Sequence, residues 1–357
     1  MSIIDSYKIA LLKTLPTRYV IKSLRNIFYP LPLTAKLVKT AVIEVSSICN
    51  ARCIFCAYRF GYRNKQIMAV DDFGRIAKSL VHMGYENLDL TSLSGELFTH
   101  PNAIEIIKTA YNAGFKHIEA FTNAILIKRF NAEDLLKSGI KALLISFPGF
   151  GREYYRDIFG IDAYEDFKHS VIQLLNAHKK LSSKVCITFE PRTFLSEKQI
   201  KKSSFYVNHL SKFLNEFIVT REPIRVFDTW GGEISATDLI KGMKTDMNPI
   251  KSISPLKKTF LCNRIILFGI QVNGDIRLCN CRYDKTIETD QDALFIDNIN
   301  NYLSLDDLLI KNKNKIATIW NDFSRGKLPA MCKKCPFYIP VRISNHSSLQ
   351  IPLLSRI

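Results

Sequence analysis

The 357-residue sequence has no uninterrupted run of eighteen apolar residues, which argues against a membrane-spanning helix. The N-terminus also lacks a secretory core, because Asp5, Lys8 and Lys13 interrupt Met1 to Leu15. There is no internal repeat and no low-complexity tract. Without a secretory signal, the nine cysteines are expected in a reducing cytoplasm, where clustered thiols bind metal or do redox chemistry rather than form disulfides. Acidic residues are scarce: 33 Asp and Glu stand against 50 Lys and Arg, giving a net charge of +17. Part of that excess lies in the first forty residues, at Lys8, Lys13, Arg18, Lys22, Arg25, Lys36 and Lys39. These alternate with Ile, Leu, Tyr and Phe, as in a basic amphipathic segment. Such a segment suits a solvated helical face, a peripheral contact with the inner membrane surface, or an anionic substrate.

What is present is a globular composition, 47% hydrophobic and 23% charged, in a chain long enough for one large domain and a smaller one. Short β-branched runs at Ala41–Ser47, Asn87–Thr91, His117–Thr122, Ala142–Phe147 and Lys184–Glu190 read as buried strands, and a sixth is expected at Ile224–Phe227. Helical patterns lie between them: one opens at Asp71 and stops near Gly84, another runs from Asn102 to Gly114, and a third covers Ala163–Lys180. Alternating β and α units predict a parallel sheet with right-handed crossovers, its function gathered after the strand C-termini. From about residue 246 the texture changes. Met247–Thr259 reads as loop, an Asn273-Gly274 turn joins two strands, and a helix is expected near Ser304–Lys311. The domain division is therefore 1–38 as a basic extension, 39–245 as the main domain and 246–357 as a second, smaller one.

The chemistry begins directly after the first strand, at Cys49-Asn-Ala-Arg-Cys53-Ile-Phe-Cys56. Three thiolates spaced C-x3-C-x2-C on one loop can hold three irons of a [4Fe–4S] cube and leave the fourth iron open to a ligand. Zinc is the alternative, but it needs a fourth ligand, and His82 and His100 lie well downstream.

This motif, with the aromatic Phe55 before its last cysteine, resembles that of the radical S-adenosylmethionine (radical SAM) enzymes. The resemblance implies a partial (β/α)6 TIM-like barrel of the α/β class. It also implies a [4Fe–4S] cluster on Cys49, Cys53 and Cys56, and S-adenosyl-L-methionine chelated to the open iron and cleaved to a 5′-deoxyadenosyl radical. Reduced flavodoxin or ferredoxin is the implied electron donor. Ser92-Leu-Ser-Gly-Glu-Leu-Phe-Thr-His-Pro, after the second strand, resembles the family's Gly-Gly-Glu-Pro motif, with Ser94 for the first glycine and Leu97 for the proline. Gly95 would let the backbone approach the cosubstrate, and Glu96 would accept hydrogen bonds from its ammonium. Phe121-Thr-Asn-Ala stands where the family often has Thr-Asn-Gly, which makes Asn123 a candidate contact. Ser146 ends the fourth strand at a ribose-contacting position. Glu190 and Arg192 end the fifth, where a basic group could pair with the cosubstrate carboxylate.

A second cysteine set, Cys262, Cys279, Cys332 and Cys335, resembles the SPASM domain of the same superfamily in its shortened twitch form, since no cysteine follows Cys335. That resemblance implies a small C-terminal α+β domain with one fully ligated auxiliary [4Fe–4S] cluster. A zinc site from the same four residues is the alternative, and Cys281 could replace Cys279. Cys186, within the predicted fifth strand, is expected in the core.

In resembling enzymes with one auxiliary cluster, a sugar alcohol carbon undergoes two-electron oxidation, which makes a carbohydrate or glycan-linked substrate the leading expectation. Modification of a peptide or protein is the alternative. About forty residues before the first strand leave little room for a leader-peptide-binding domain. A non-catalytic iron–sulfur electron carrier is a reading of another class. Nucleic acid is not an expected partner. Oxidation needs a base near the sixth strand, for which Arg221, Glu222 and Asp228 are candidates, Asp228 foremost.

Overall fold

A computed structural model describes residues 31–32, 39–61, 64–92, 94–230, 232–245, 261–279, 293–333, 335, 338 and 340–342. Almost all of the basic N-terminal extension, the segment 247–259 and Cys281 fall outside the described residues. None of the described helices is long and apolar enough to cross a membrane.

Six parallel strands follow one another in sequence and in space: β1 (Thr40–Ile43), β2 (Asn87–Asp89), β3 (His117–Thr122), β4 (Ala142–Phe147), β5 (Cys186–Pro191) and β6 (Ile218–Thr220). The sheet is open at β6, giving a partial barrel rather than a closed one. β3 and β4 alternate strictly between half-buried and buried residues. The buried set, including Leu88, Ile118, Ala120, Leu143, Ile145, Ile187 and Phe189, forms the main hydrophobic core. The intervening set faces the other side of the sheet and is mixed: Asp89, Glu119, Ser146, Thr188 and Glu190 share that face with Val42, Phe121, Ala142 and Leu144.

Between the strands lie α1 (Val70–His82), α2 (Ala103–Ala113), α3 (Ala132–Lys137), α4 (Arg152–Phe159), α5 (Tyr164–Lys180) and α6 (Glu197–Lys202). Their ends follow local chemistry. Asp71 and Asp72 occupy the first turn of α1, while α5 has Glu165 and Asp166 in its first turn and His178, Lys179 and Lys180 in its last, matching the helix dipole at both ends. Ser196 and Gln199 close a capping box on α6. An aromatic cluster of Phe147, Phe150, Phe167, Phe189 and Phe205 fills the space where α5 meets β4 and β5.

The sixth strand is Ile218–Thr220, not Ile224–Phe227. Ile218 is 1% exposed and pairs with Ile187, whereas Val226 is 53% exposed. Val226–Phe227 instead forms a small parallel ribbon with Lys244–Thr245, linked to β5 only by an Arg192–Ile224 bridge. Cys186 is likewise not a core residue: it opens β5 and is exposed.

Beyond residue 260 the chain adds β7 (Phe268–Ile270), β8 (Asp275–Leu278) and β9 (Phe295–Asn298). These extend the same sheet, because β7 pairs in parallel with β1 and gives the order β9-β8-β7-β1-β2-β3-β4-β5-β6. In the β7–β8 turn Gly274 N donates to Gln271 O (2.9 Å), and Gly274 has φ +89° while Asn273 does not enter the positive region. Val272 and Asn273 therefore occupy the centre of the turn and Gly274 the left-handed position after it. The helix α7 spans Leu305–Ser324, well past the expected end at Lys311, because buried Ile316, Trp320 and Phe323 continue its apolar face. A short helix, Ala330–Lys333, then carries Cys332. Cys262 lies on a separate short strand, Leu261–Cys262, paired with Pro340–Arg342, which also pairs with Leu31–Pro32.

Candidate active site

The loop bearing Cys49, Cys53 and Cys56 leaves the C-terminal end of β1 and is braced from two directions. On one side Arg52 N donates to Phe159 O and Ile54 N to Ile158 O (both 2.9 Å), laying the loop along the end of α4. On the other side Glu96 N donates to Ile48 O at 2.8 Å. Thr99 Oγ1 adds a bond to Ile48 O (3.0 Å) and lies 2.8 Å from Ser46 Oγ. This approach requires glycine at position 95: a Cβ there would lie 2.0 Å from Ser46 O.

The three thiols feel one another. Burial, then the charges of Cys56 and Cys49, push the Cys53 thiol well up, while the Arg192 guanidinium opposes the rise. Burial also raises Cys56, against Arg192 and Arg59. Cys49 keeps solvent-exposed surface, yet crowding at the mouth of the sheet and the neighbouring Glu96 push its thiol up to about 12. Among the described residues no three Cys, His, Asp or Glu side chains converge as a shell for a single metal ion.

Buried donors surround them. Asn50 Nδ2, Arg192 Nε and Tyr155 Oη are each buried without a hydrogen-bond partner. Asn50 adjoins Cys49, Arg192 acts on Cys53 and Cys56, and Tyr155 interacts electrostatically with Cys53. Three soft thiolate ligands ringed by orphan donors fit an iron–sulfur cluster carrying an anionic ligand.

Glu96 is 5% exposed and accepts from Thr122 Oγ1 (2.7 Å), Asn123 N (2.8 Å) and Phe98 N (3.4 Å). Burial raises its pKa and these donors pull it back. Its two oxygens offer about four acceptor positions, so room remains for a further donor. Asn123 Nδ2 donates to Asn50 Oδ1 (2.8 Å), joining the end of β3 to the cysteine loop. The next residue, Ala124, has φ +57°, a left-handed position that explains the family's preference for glycine there.

At the far side Glu190, 4% exposed, binds Arg192 Nη2 (2.7 Å) and Arg221 Nη1 (3.0 Å). Arg221, one of the candidate bases, is therefore paired with a carboxylate. Ser146 sits opposite Glu190 in the sheet register, on the same face. The Arg192 guanidinium lies 5.7 Å from the centre of the Phe55 ring. That ring stacks on Phe227 at 4.8 Å, and Trp230 Nε1 donates to Phe55 O at 2.7 Å. Asp228 is half-buried between these two anchors, whereas Glu222 is exposed.

In the second cysteine set, Cys262, Cys279 and Cys332 are buried and Cys335 is half-buried. Burial raises the Tyr338 phenol, and the thiols of Cys262, Cys332 and Cys335 raise it further. Cys279 ends β8 at φ +80°, with its carbonyl accepting from the fully buried Arg277 (3.1 Å).

Sequence reasoning gave no role to Asn50, Thr99 or Thr122, although they lie inside the motifs, and it did not single out Trp230 or Tyr338. It also missed Glu44, although a carboxylate within the apolar run Ala41–Ser47 was a legible signal.

Residues 43–191 match the model of the radical SAM superfamily. The GTP 3′,8-cyclase of Alkaliphilus oremlandii is 30% identical over 120 residues, 32% of this chain and 37% of that protein. A probable GTP 3′,8-cyclase of Methanococcus vannielii is 28% identical over 122 residues, 34% and 40% of the two chains. The matched segments span less than half the length of these curated relatives. Among solved structures, Streptococcus suis SuiB bound to the precursor peptide SuiA superposes with a TM-score of 0.50 at 15% identity, covering 90% of this chain and 74% of that one.

Proposed function

Because residues 43–191 belong to the radical SAM superfamily, whose members bind S-adenosylmethionine and a [4Fe–4S] cluster, we propose that this chain uses them to oxidise a carbohydrate or glycan-linked substrate. When bound, the cluster and S-adenosylmethionine supply one-electron chemistry that ends in a hydrogen-abstracting 5′-deoxyadenosyl radical. The observation that carries the site assignment is the loop of Cys49, Cys53 and Cys56 held against Gly95 and Glu96. In this reading the three thiolates hold the cluster. Ser94, Gly95 and Glu96 receive the cosubstrate's amino group, with Glu96 oriented by Thr122 and Asn123. Arg192, steered by Glu190, presents its unpartnered Nε to an anionic group beside Cys53 and Cys56. Asn123 and Ser146 serve the adenosine side, and Phe55 closes the wall.

Cys262, Cys279, Cys332 and Cys335 would hold an auxiliary cluster of the SPASM/twitch type, the acceptor for the second electron of the substrate. The charges of Cys262, Cys332 and Cys335 all act on Tyr338, which supports that reading. In this reading half-buried Asp228 takes the proton that leaves with that electron. The acceptors and hydroxyls of Asp89, Glu119, Ser146 and Thr188, interleaved with Phe121 and Leu144 on one sheet face, support a substrate that carries hydroxyl groups. Reduced flavodoxin or ferredoxin would supply the initiating electron.

Anaerobic reconstitution tests the two-cluster reading: about eight irons per chain are expected, and about four would remove the auxiliary cluster. Cys53→Ala should abolish 5′-deoxyadenosine formation and leave about four irons; continued cleavage would refute the site. Deuterium transferred to deoxyadenosine from a labelled sugar supports the substrate class, and transfer from a peptide or a nucleotide instead replaces it.

A further inference from the structure

Glu44 follows β1, five residues before Cys49, and is 0% exposed. A carboxylate is costly to bury, and it persists in a core when its oxygens are occupied by donors. Its Oε1 accepts from Ser94 N (3.0 Å) and Ser94 Oγ (3.3 Å). Its Oε2 faces Val272 N in the β7–β8 turn, a long contact of 3.5 Å, while its own N–H donates to Ile270 O (2.9 Å). One side chain therefore spans three pieces of the molecule: the strand that carries the cysteine loop, the loop ending in Gly95 and Glu96, and the C-terminal hairpin that leads to Cys279.

We infer that Glu44 is a positioning residue that fixes the Ser94–Glu96 loop relative to the C-terminal hairpin, so that cosubstrate binding and the hairpin are energetically coupled. This rests on the assignment of Ser94–Glu96 to the cosubstrate. The two carboxylate oxygens are needed because the groups they face, Ser94 N and Val272 N, are both donors. A glutamine of the same shape offers one acceptor and one donor, so it can serve one side only. Coupling is reciprocal: what the loop gains from the hairpin on binding, the hairpin gains from the loop.

Hydrogen exchange of the reconstituted full chain, with and without S-adenosylmethionine, tests this without any variant. The amides of residues 94–96 and those of 270–274 are both expected to slow on binding. Glu44→Gln should bind S-adenosylmethionine about ten-fold more weakly by equilibrium dialysis. It should also lose the hairpin's response while keeping that of the loop. Protection of 94–96 in the natural chain with an unresponsive hairpin overturns the coupling, as does unchanged affinity in Glu44→Gln. Absence of any binding to the natural chain instead refutes the cosubstrate site itself.

Discussion

At the scale of single residues the site is built on contacts that leave no spare volume. Gly95 is the clearest case, since the atoms a Cβ would meet are the backbone O and C of Ser46, at 2.0 and 2.8 Å, and backbone cannot swing aside. Gly95→Ala is expected to lower stability by about 1–3 kcal/mol, the usual range for overpacking, and to abolish S-adenosylmethionine binding. Urea unfolding and equilibrium dialysis read the two effects, and a variant that binds normally would show that the loops need not touch. The Ser-Gly-Glu triplet was legible in the sequence as a short motif. That Ser46 is what demands the glycine was not, because the two are 49 positions apart and meet only when β1 and β2 pair.

At the scale of elements, the cysteine loop depends on the end of α4. Gly160 caps that helix at φ +64°, and a Cβ there would lie 2.8 Å from Arg52 O, one residue before Cys53. Gly160→Ala therefore meets both a left-handed strain of about 1–2 kcal/mol and a collision with the loop. Iron bound after reconstitution should fall from about eight toward four per chain, the loss coming from the N-terminal site. Full loading would mean that the loop holds its shape without α4. Helices α1, α2 and α5 were readable to within a residue or two from Asp71, Asn102, Gly114 and the pattern ending at Lys180. The sixth strand was misplaced because Ile224–Phe227, with two β-branched residues of four, reads as a strand too, although all three residues of Ile218–Thr220 are β-branched. Pairing with β5 chose the segment whose isoleucine could be buried beside Ile187.

At the scale of the whole molecule, the C-terminal segment shares the sheet of the partial barrel through the pairing of β7 with β1. The two tryptophans sit on either side of that seam, Trp230 against Phe55 and Trp320 on α7. Trp230→Phe and Trp320→Phe each leave one fluorescent reporter. Their urea transitions, followed in cluster-free protein, should coincide, because hydrogen bonds across β1 and β7 tie the two halves into one cooperative unit. Separate midpoints would show that the halves unfold independently.

The sequence by itself determined the chemistry implied for the first site and the order of the first five strands. Cysteine spacing on a loop is a local property, and so is the alternation of apolar runs with helix caps. It also marked Glu96 through the likeness of Ser94-Gly-Glu96 to a family motif, and Asn123, Glu190 and Arg192 at or just after strand ends, which converge in a parallel sheet. Only the tertiary structure decided how those residues are used: Glu96 anchored to Thr122 and Asn123, Glu190 spent on two arginines, Glu44 joining the loop to the distant hairpin. Such pairings depend on which strand lies beside which and in what register. Register is set by the burial of whole faces, a property that no short stretch of sequence contains.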